Sequence, residues 1–236
     1  MSRAAGRPHE HDLRLHPVGW FLTQAGAGPG RSRRKVPAPL ARAASLELRW
    51  FGRDAPPEEL VRFTGSVSTE VRTDRYARVD RDDVSIKLRG RARLGLKQRR
   101  CRIVVDDRLP PAERWSRRSA RTNVDPDREG DWVSLHKRRR RILFDLAGDD
   151  PVQVSSGRSS FARGGAIELV ELRWDDAGER LWSVACESWG PHDRDDLVRL
   201  LSWAGIDWTA VHVRSWRAGG YAAMLRRRSG ETPPGG

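Results

Sequence analysis

The sequence predicts a mainly β (α+β) protein built around an eight-stranded antiparallel barrel, or tunnel, with flanking helices. Short segments in which apolar and polar residues alternate recur from about residue 45 to residue 190, and this period is typical of half-buried strands. Helical spacing is confined to two segments, and the βαβ rhythm of a parallel sheet is missing, so antiparallel pairing is expected. The polar faces of several strands carry both acids and bases, which favours a barrel with a charged interior.

The first strand and the first helix are predicted side by side in the sequence. SLELRWF at 45–51 alternates strictly, and Glu47 and Arg49 lie on the same face. DAPPEELVRF at 54–63 is predicted to be a short helix, because Asp54 lies near the cap, prolines occupy the opening and two glutamates lie in the first turn.

A second strand and a hairpin follow. TDRYARVD at 73–80 is the second strand, and VSIKLRGRARLGLKQRR at 84–100 divides into the third and fourth around a glycine-containing turn. One face of this hairpin is aliphatic. The other face is almost wholly cationic and comprises Lys87, Arg89, Lys97 and Arg99.

The middle of the chain mixes strands with long polar stretches. Residues 101–130 contain many charges and several prolines and are predicted to form a polar excursion without a strand. DWVSLHKRR at 131–139 is the fifth predicted strand, RILFDL at 141–146 is the sixth, and 148–165 is a loop.

The last two predicted strands precede the second helix. AIELVELRW at 166–174 and RLWSVACESWG at 180–190 are the seventh and eighth strands, and they carry Glu168 and Glu187. DRDDLVRLLSWAGI at 193–206 has a leucine stripe and acids in its first turn, which predicts an amphipathic helix.

Composition divides the chain into three parts. Residues 1–44 are rich in glycine, alanine, proline and arginine without periodicity, which is typical of a disordered basic leader. The folded domain is expected at 45–225, and residues 226–236 are expected to be a disordered tail.

Charge and cysteine content limit the expected partners and compartment. The chain of 236 residues has a formal net charge of +13, so it should attract anions such as phosphorylated metabolites, polyphosphates or nucleic acid. Cys101 and Cys186 lie far apart and form no metal-binding pair, which favours a reducing cytoplasm. No apolar run approaches the roughly 18 residues of a membrane span, so no membrane partner is expected.

Lysine is rare among the cations. Of 45 basic residues only four are lysine, and Lys87, Lys97 and Lys137 lie in predicted strands. An ammonium is a compact point charge that a planar guanidinium does not replace at every site. These three lysines are therefore candidates for a specific role, with chance placement as the alternative.

Alternation alone leaves the direction of the charged faces open. In one arrangement the aliphatic faces pack outward against helices and the charged faces line the lumen. In the other, the aliphatic core lies inside and the cations face water. The mixed charges favour the first, because a site for a polyphosphate and its divalent cation needs basic groups for the phosphate oxygens and carboxylates for the metal.

The order of the motifs resembles the CYTH superfamily of triphosphate tunnel metalloenzymes. The family's opening Glu-x-Glu-x-Lys strand is similar to SLELR, with Ser45 at the first glutamate, Glu47 at the second and Arg49 at the lysine. The other motifs follow in order over about 45–225: DRY with Asp74 and Tyr76, KLR with Lys87 and Arg89, LGLKQR with Lys97, IELVEL with Glu168, and ACESWG with Glu187. WVSLHKRR and the late GGYAAML also resemble segments of bacterial CYTH-like proteins of unassigned function.

The resemblance and the charge pattern imply a set of site residues. The expected catalytic residues are Glu47, Glu187 and Lys97. The expected ligands of one Mg²⁺, with Mn²⁺ as a substitute, are Glu47, Glu168 and Glu187. The expected phosphate-binding residues are Arg49, Lys87, Arg89, Lys97, Arg99, Lys137 and Arg139. Ser45 removes one metal-side carboxylate, so a second metal ion is not expected.

Two neighbours on the fifth predicted strand are harder to place. His136 lies on the polar face, where it would either donate to phosphate or have a structural role. Strict alternation places Lys137 on the aliphatic face, so a bulge would be needed to direct it inward.

Three functions follow as alternatives. In the first, the protein binds a triphosphate-containing ligand with a divalent metal and slowly hydrolyses a phosphoanhydride bond. In the second, it is a non-catalytic polyphosphate-binding module, because Ser45 has replaced a metal-side carboxylate. In the third, it is a basic protein that associates non-specifically with nucleic acid, with KRRRR at 137–141 as the electrostatic footprint.

Overall fold

One antiparallel sheet, closed into a barrel, dominates the structure. The computed structural model describes residues 43–65, 67–90, 93–125, 127, 131–154, 162–174, 178–213 and 216–230. The strands in these ranges are β1 (Ala43–Gly52), β2 (Glu70–Ala77), β3 (Val84–Arg89), β4 (Arg93–Ile103), β5 (Ala112–Arg121), β6 (Trp132–Asp145), β7 (Val152–Val154), β8 (Gly164–Trp174), β9 (Arg180–Trp189) and β10 (Arg217–Ala218). The helices in these ranges are α1 (Glu58–Gly65), α2 (Asp193–Trp203), α3 (Trp208–Val213) and α4 (Tyr221–Gly230).

Eight strands form the closed ring. Their order is β1-β5-β4-β3-β2-β6-β8-β9, and β9 pairs back with β1 from Leu46↔Ser188 to Gly52↔Trp182. Every pair in the ring is antiparallel. β7 pairs with β6 and β10 with β1 as additions to the ring. The predicted fold class, an eight-stranded antiparallel barrel with flanking helices, is confirmed.

Most predicted elements lie close to their expected positions. β1, β2, β3, β4, β8 and β9 each overlap a predicted strand, and α1 and α2 overlap the two predicted helices. The predicted loop at 148–165 contains the short strand β7 and the start of β8. The sequence predicts none of α3, α4 and β10.

The predicted polar excursion at 101–130 is wrong in its middle, because β5 lies there. β5 pairs with β4 on one side and with β1 on the other, so the barrel cannot close without it. Its sequence, AERWSRRSAR, has polar residues on both faces, and Trp115 is its one large apolar side chain. A strand of this kind gives no alternating hydrophobic signal.

The fifth and sixth predicted strands are a single strand, β6. Its register with β8 runs unbroken from Leu135↔Trp174 to Asp145↔Gly164. The basic run at 137–141 interrupts the apolar pattern, which suggests a break, yet successive side chains in it point to opposite faces of one strand. The predicted number of strands equals the observed eight only because two errors cancel. The sequence pattern does not predict β5, and it divides β6 into two strands.

The main hydrophobic core lies between the barrel wall and the helices. Leu46, Leu48 and Trp50 of β1 are fully buried there, together with Leu197 of α2. Trp50 also stacks on Trp208, with ring centroids 5.8 Å apart. Burying one such side chain contributes about 1.5–3 kcal/mol, so this packing turns the aliphatic face of β1 outward and its charged face inward.

A second apolar cluster fills one end of the barrel interior. We call it the floor cluster, and it consists of Phe51, Tyr76, Leu135, Val170, Leu172, Trp174 and Met224. Val170 and Leu172 share the inward face of β8 with Glu168. Met224 belongs to α4, so α4 packs into this end of the barrel and closes it.

The prediction for the two ends of the chain needs one correction. α4 continues to Gly230, so the expected disordered tail at 226–236 is wrong for 226–230. Residues 1–42 of the expected leader, like 231–236, lie outside the described residues, and β1 begins at Ala43. Among the described helices, none has both the length and the apolar character needed to cross a membrane.

Candidate anion-binding site

A cavity of about 510 Å³ occupies the barrel interior next to the floor cluster. All eight barrel strands contribute to its wall. The cationic side chains that line it are Arg49, Arg72, Lys87, Arg89, Arg93, Lys97, Arg117, Arg118, Lys137, Arg139 and Arg141. The acidic ones are Glu47, Glu168 and Glu187. The cavity therefore carries a large excess of positive charge, and its volume is typical of small-molecule sites.

Strand alternation explains why these charges meet inside. Ser85, Lys87 and Arg89 share one face of β3 and line the cavity, whereas Leu88 is buried on the opposite face. Lys97 points inward from β4 in the same way. Of the two orientations that the sequence left open, the structure has the one in which charged faces line the lumen.

Lys137 reaches the cavity without a bulge. The expected conflict assumes that Leu135 faces outward, but Leu135 belongs to the floor cluster, and the register of β6 has no shift at Lys137. The Lys137 side chain is 2% exposed, lies 3.0 Å from Asp74 Oδ2 and donates to Tyr76 Oη at 2.7 Å. Burial lowers the pKa of Lys137 to about 7, although Asp74 acts in the opposite direction.

Both carboxylate oxygens of Glu47 are held by cations. Oε1 accepts a hydrogen bond from Arg49 Nε at 2.8 Å, and Oε2 accepts one from Lys97 Nζ at 2.7 Å. Burial alone would raise the pKa of Glu47, but Arg49 and Lys97 hold it well below its usual range. Glu47 is therefore ionised, and Arg49 and Lys97 balance its negative charge inside the barrel.

Arg49 links Glu47 to Glu168. Besides Nε on Glu47, its Nη2 donates to Glu168 Oε1 at 3.0 Å and its Nη1 donates to Ser183 Oγ at 2.8 Å. The other oxygen of Glu168 accepts from Arg139 Nη1 at 3.1 Å. Burial would raise the pKa of Glu168, but Arg49 and Arg139 lower it. All three nitrogens of Arg49 thus donate to protein oxygens.

Glu187 lies directly across from Glu47 in the β1–β9 register. Its Oε1 accepts a hydrogen bond from Arg117 Nη2, and its Oε2 lies 3.5 Å from Arg141 Nη2. Burial would raise the pKa of Glu187, but Arg117 and Lys97 lower it below its usual value.

The expected metal ligands all line the cavity, but each already has cationic partners. Across the ranges that the structure describes, no group of three or more histidine, cysteine, aspartate or glutamate side chains is placed to hold a metal ion. Both oxygens of Glu47, Glu168 and Glu187 face an ammonium or a guanidinium. As arranged, these carboxylates do not fit a divalent cation, which needs their oxygens as direct ligands. The expected Mg²⁺ or Mn²⁺ site stays a prediction.

The expected phosphate-binding residues line the cavity with one exception. Those in the wall are Arg49, Lys87, Arg89, Lys97, Lys137 and Arg139. Arg99 instead donates to Asp82 Oδ2 at 2.9 Å and to Glu113 Oε1 at 2.8 Å. These two acids hold Arg99 away from the lining, next to a register shift between Arg99 and Cys101.

The expected set omits several cations of the wall: Arg72, Arg93, Arg117, Arg118 and Arg141. Arg117 and Arg118 belong to β5, the strand that was not predicted. A signal for Arg117 exists in hindsight, because Trp115, Arg117 and Ser119 alternate along β5 and all line the cavity.

His136 and Ser45 do not belong to the cavity lining. His136 is exposed, opposite to the inward Lys137, and its Nδ1 lies 2.8 Å from Thr73 Oγ1. Ser45 is buried and paired with Trp115 in the β1–β5 register. Neither is among the described residues that form the wall.

Comparisons with known proteins do not assign a family. No family model matches the chain, and no curated protein matches it significantly. The resemblance to the CYTH superfamily therefore rests on the motifs quoted above.

Proposed function

We propose that the barrel interior is a binding site for a triphosphate-containing small molecule or inorganic polyphosphate. The observation that carries this proposal is the charge of the cavity, where, among the described residues, eleven cationic side chains meet three carboxylates. Lysine and arginine form short, charge-assisted hydrogen bonds with phosphate oxygens. A chain of phosphate groups supplies many such oxygens within a small volume.

Repulsion among the cations adds to the affinity for an anion. Burial and the nearby Lys137 hold the pKa of Lys87 well below its ordinary value, and Asp74 offsets this only in part. Each of these two ammonium groups therefore disfavours the charged form of the other. A bound polyanion would replace this repulsion with attraction.

Exposed arginines support entry of the ligand from solvent. Arg89, Arg93 and Arg118 line the cavity and are exposed. A cleft lined by one sign of charge raises the local concentration of the opposite ion and speeds its association.

The enclosed position of the cations favours a small anion over a nucleic acid. Lys97 and Lys137 lie inside the barrel, beyond the reach of a duplex. The outward Arg138 already lies 3.4 Å from Glu171. Non-specific nucleic-acid binding would depend on outward arginines of this kind.

Slow, metal-dependent hydrolysis is the activity that the CYTH resemblance implies. Binding without turnover is better supported, because Glu47, Glu168 and Glu187 are each paired with cations. A carboxylate in that state is a poor ligand for a metal and a poor base for an attacking water.

Titration calorimetry with tripolyphosphate tests the proposal, with phosphate release measured in parallel with Mg²⁺ and Mn²⁺. The expected result is saturable binding at a single site per chain, without release. Phosphate release would favour the hydrolase. Absence of tripolyphosphate binding, together with steeply salt-dependent binding of long RNA, would favour the nucleic-acid alternative.

A further inference from the structure

We infer that Arg49 takes the place of a divalent cation in this barrel, so that the cavity binds its phosphate ligand without a metal ion. The part of this inference that concerns phosphate rests on the proposed function. The part that concerns metal does not, because it can be measured with no phosphate present.

The position of the guanidinium supports the inference. Arg49 and Glu47 lie on β1, Glu168 lies on β8, and β9 runs between these strands with Ser183. Arg49 donates to a side chain on each of the three strands, at distances of 2.8 to 3.0 Å. It therefore occupies the space shared by two carboxylates, where a bridging metal ion would have to lie.

The charge balance around the two carboxylates points the same way. Glu47 has Lys97 as a second partner at 2.7 Å, and Glu168 has Arg139 at 3.1 Å. Two carboxylates are thus matched by three cations, including the guanidinium between them. No negative charge is left at this point to attract a divalent ion.

The chemistry of arginine makes this arrangement permanent. A guanidinium keeps its charge throughout the physiological pH range and cannot exchange with solvent as a metal ion does. With all three of its nitrogens donating to the protein, Arg49 has little capacity left for phosphate. It is a positioning residue, which fixes Glu47 and Glu168 and through them Lys97 and Arg139, the groups that face the ligand.

Metal binding alone tests the claim about Arg49. Mn²⁺ is titrated into the full chain without phosphate, and bound ion is followed by electron paramagnetic resonance for the wild type, Arg49→Gln and Arg141→Gln. Arg141→Gln is the matched control, because it also removes one cavity cation, but the carboxylate that Arg141 contacts at 3.5 Å is Glu187 and not Glu47 or Glu168. We expect weak binding to the wild type and to Arg141→Gln, and a gain of about tenfold or more in Arg49→Gln.

Two outcomes of this titration would overturn the claim. One is tight, stoichiometric Mn²⁺ binding by the wild type. The other is a folded Arg49→Gln variant with no gain over Arg141→Gln. Should Arg49→Gln fail to fold, tight Mn²⁺ binding by the wild type would still contradict the claim.

Calorimetry with tripolyphosphate tests the rest of the inference in the wild type, once with a chelator and once with excess Mg²⁺. Equal or tighter binding in chelator is expected, because Mg²⁺ sequesters the free ligand. Affinity raised about tenfold by Mg²⁺ would overturn the inference. Binding under neither condition would contradict the proposed function, while the Mn²⁺ titration would still decide separately whether Arg49 excludes a metal ion.

Discussion

Several side chains inside the barrel are both buried and charged, and they have oppositely charged neighbours. Lys97 illustrates this arrangement. Its Nζ lies 2.7 Å from Glu47 Oε2 and 5.3 Å from the Trp115 ring centroid. Burial lowers the pKa of Lys97, whereas Glu47 acts in the opposite direction. An anion in the cavity would give this ammonium a second partner.

Replacing Lys97 with alanine should weaken tripolyphosphate binding. The expected loss is about 1.5–3 kcal/mol, the usual value of a hydrogen bond to a charged group. The same change leaves Glu47 without one of its two cations, which adds repulsion toward the ligand. Calorimetry on the wild type and Lys97→Ala measures the difference, and unchanged affinity would exclude Lys97 from the binding site.

The pH dependence of stability should reveal the lowered pKa of Lys137. Its pKa is about 7 in the folded protein against an ordinary value of 10.5, so between these values the unfolded chain binds more protons than the folded one. Stability must then rise with pH across that window, while below pH 7 the amine is protonated in both states and its contribution is constant. The charged or titratable groups facing Lys137 are Asp74, Tyr76, Lys87, Arg72, Glu168 and Tyr221.

A comparison with Lys137→Met isolates this contribution. Urea denaturation from about pH 6 to pH 9 should show the wild type gaining unfolding free energy relative to the variant as pH rises above about 7. Curves that stay parallel over the whole range would mean that Lys137 keeps its ordinary pKa.

Along each barrel strand, successive side chains point in turn to the lumen and to the outer surface. β6 offers a matched pair of neighbours. Arg139 is 16% exposed, lines the cavity and lies 3.1 Å from Glu168. Arg138 is 60% exposed and lies 3.4 Å from Glu171.

Neutralising these two arginines should therefore have different effects. Arg139→Gln should weaken tripolyphosphate binding about tenfold or more, because a charge-assisted contact contributes about 1.5–3 kcal/mol. Arg138→Gln should change it about twofold at most, since it removes only a screened surface charge. Equal losses in the two variants would place the anion on the outer surface.

Gly220, which directly precedes helix α4, packs closely against Trp115. A Cβ at Gly220 would lie 2.6 Å from Trp115 Cζ2 and 3.2 Å from Glu113 Oε2. Gly220→Ala should therefore lower the free energy of unfolding by about 1–3 kcal/mol, the usual cost of overpacking. Gly148→Ala is the control, because nothing lies within 4 Å of its added Cβ. Equal stability of both variants by urea denaturation would show that α4 adjusts without cost.

The strands that the sequence predicts are those whose two faces differ. β1 and β3 alternate between aliphatic and charged residues, so their existence and their inward faces follow from the pattern. β5 is polar on both faces, and only its pairing with β1 and β4 reveals it. Pairing between distant strands is a tertiary property, which local periodicity does not encode.

The residues of the candidate site also differ in whether the sequence predicts them. Glu47, Lys87 and Lys97 could be predicted, because each lies on the charged face of an alternating strand. Arg117 could not, because its strand was missed. The pairing of Glu47 and Glu168 through Arg49 also depends on the β8–β9–β1 order, which no spacing in the sequence specifies.

The whole molecule places its apolar packing around a charged lumen. The main core lies under the helices, the floor cluster closes one end, and the remaining interior holds the cations. Keeping these charges close together costs stability in the free protein. A ligand that binds only the folded state would offset this loss, because it raises the free energy of unfolding by about 2.7 kcal/mol when its concentration is a hundredfold above Kd.

A crystal structure of the full chain with tripolyphosphate tests the central claim most directly. We expect density for the anion inside the barrel, with phosphate oxygens about 2.7–3.2 Å from the amines of Lys87 and Lys97. The same crystals would show Arg49 still between Glu47 and Glu168. Density on the outer surface alone, or an empty barrel at saturating tripolyphosphate, would contradict the account.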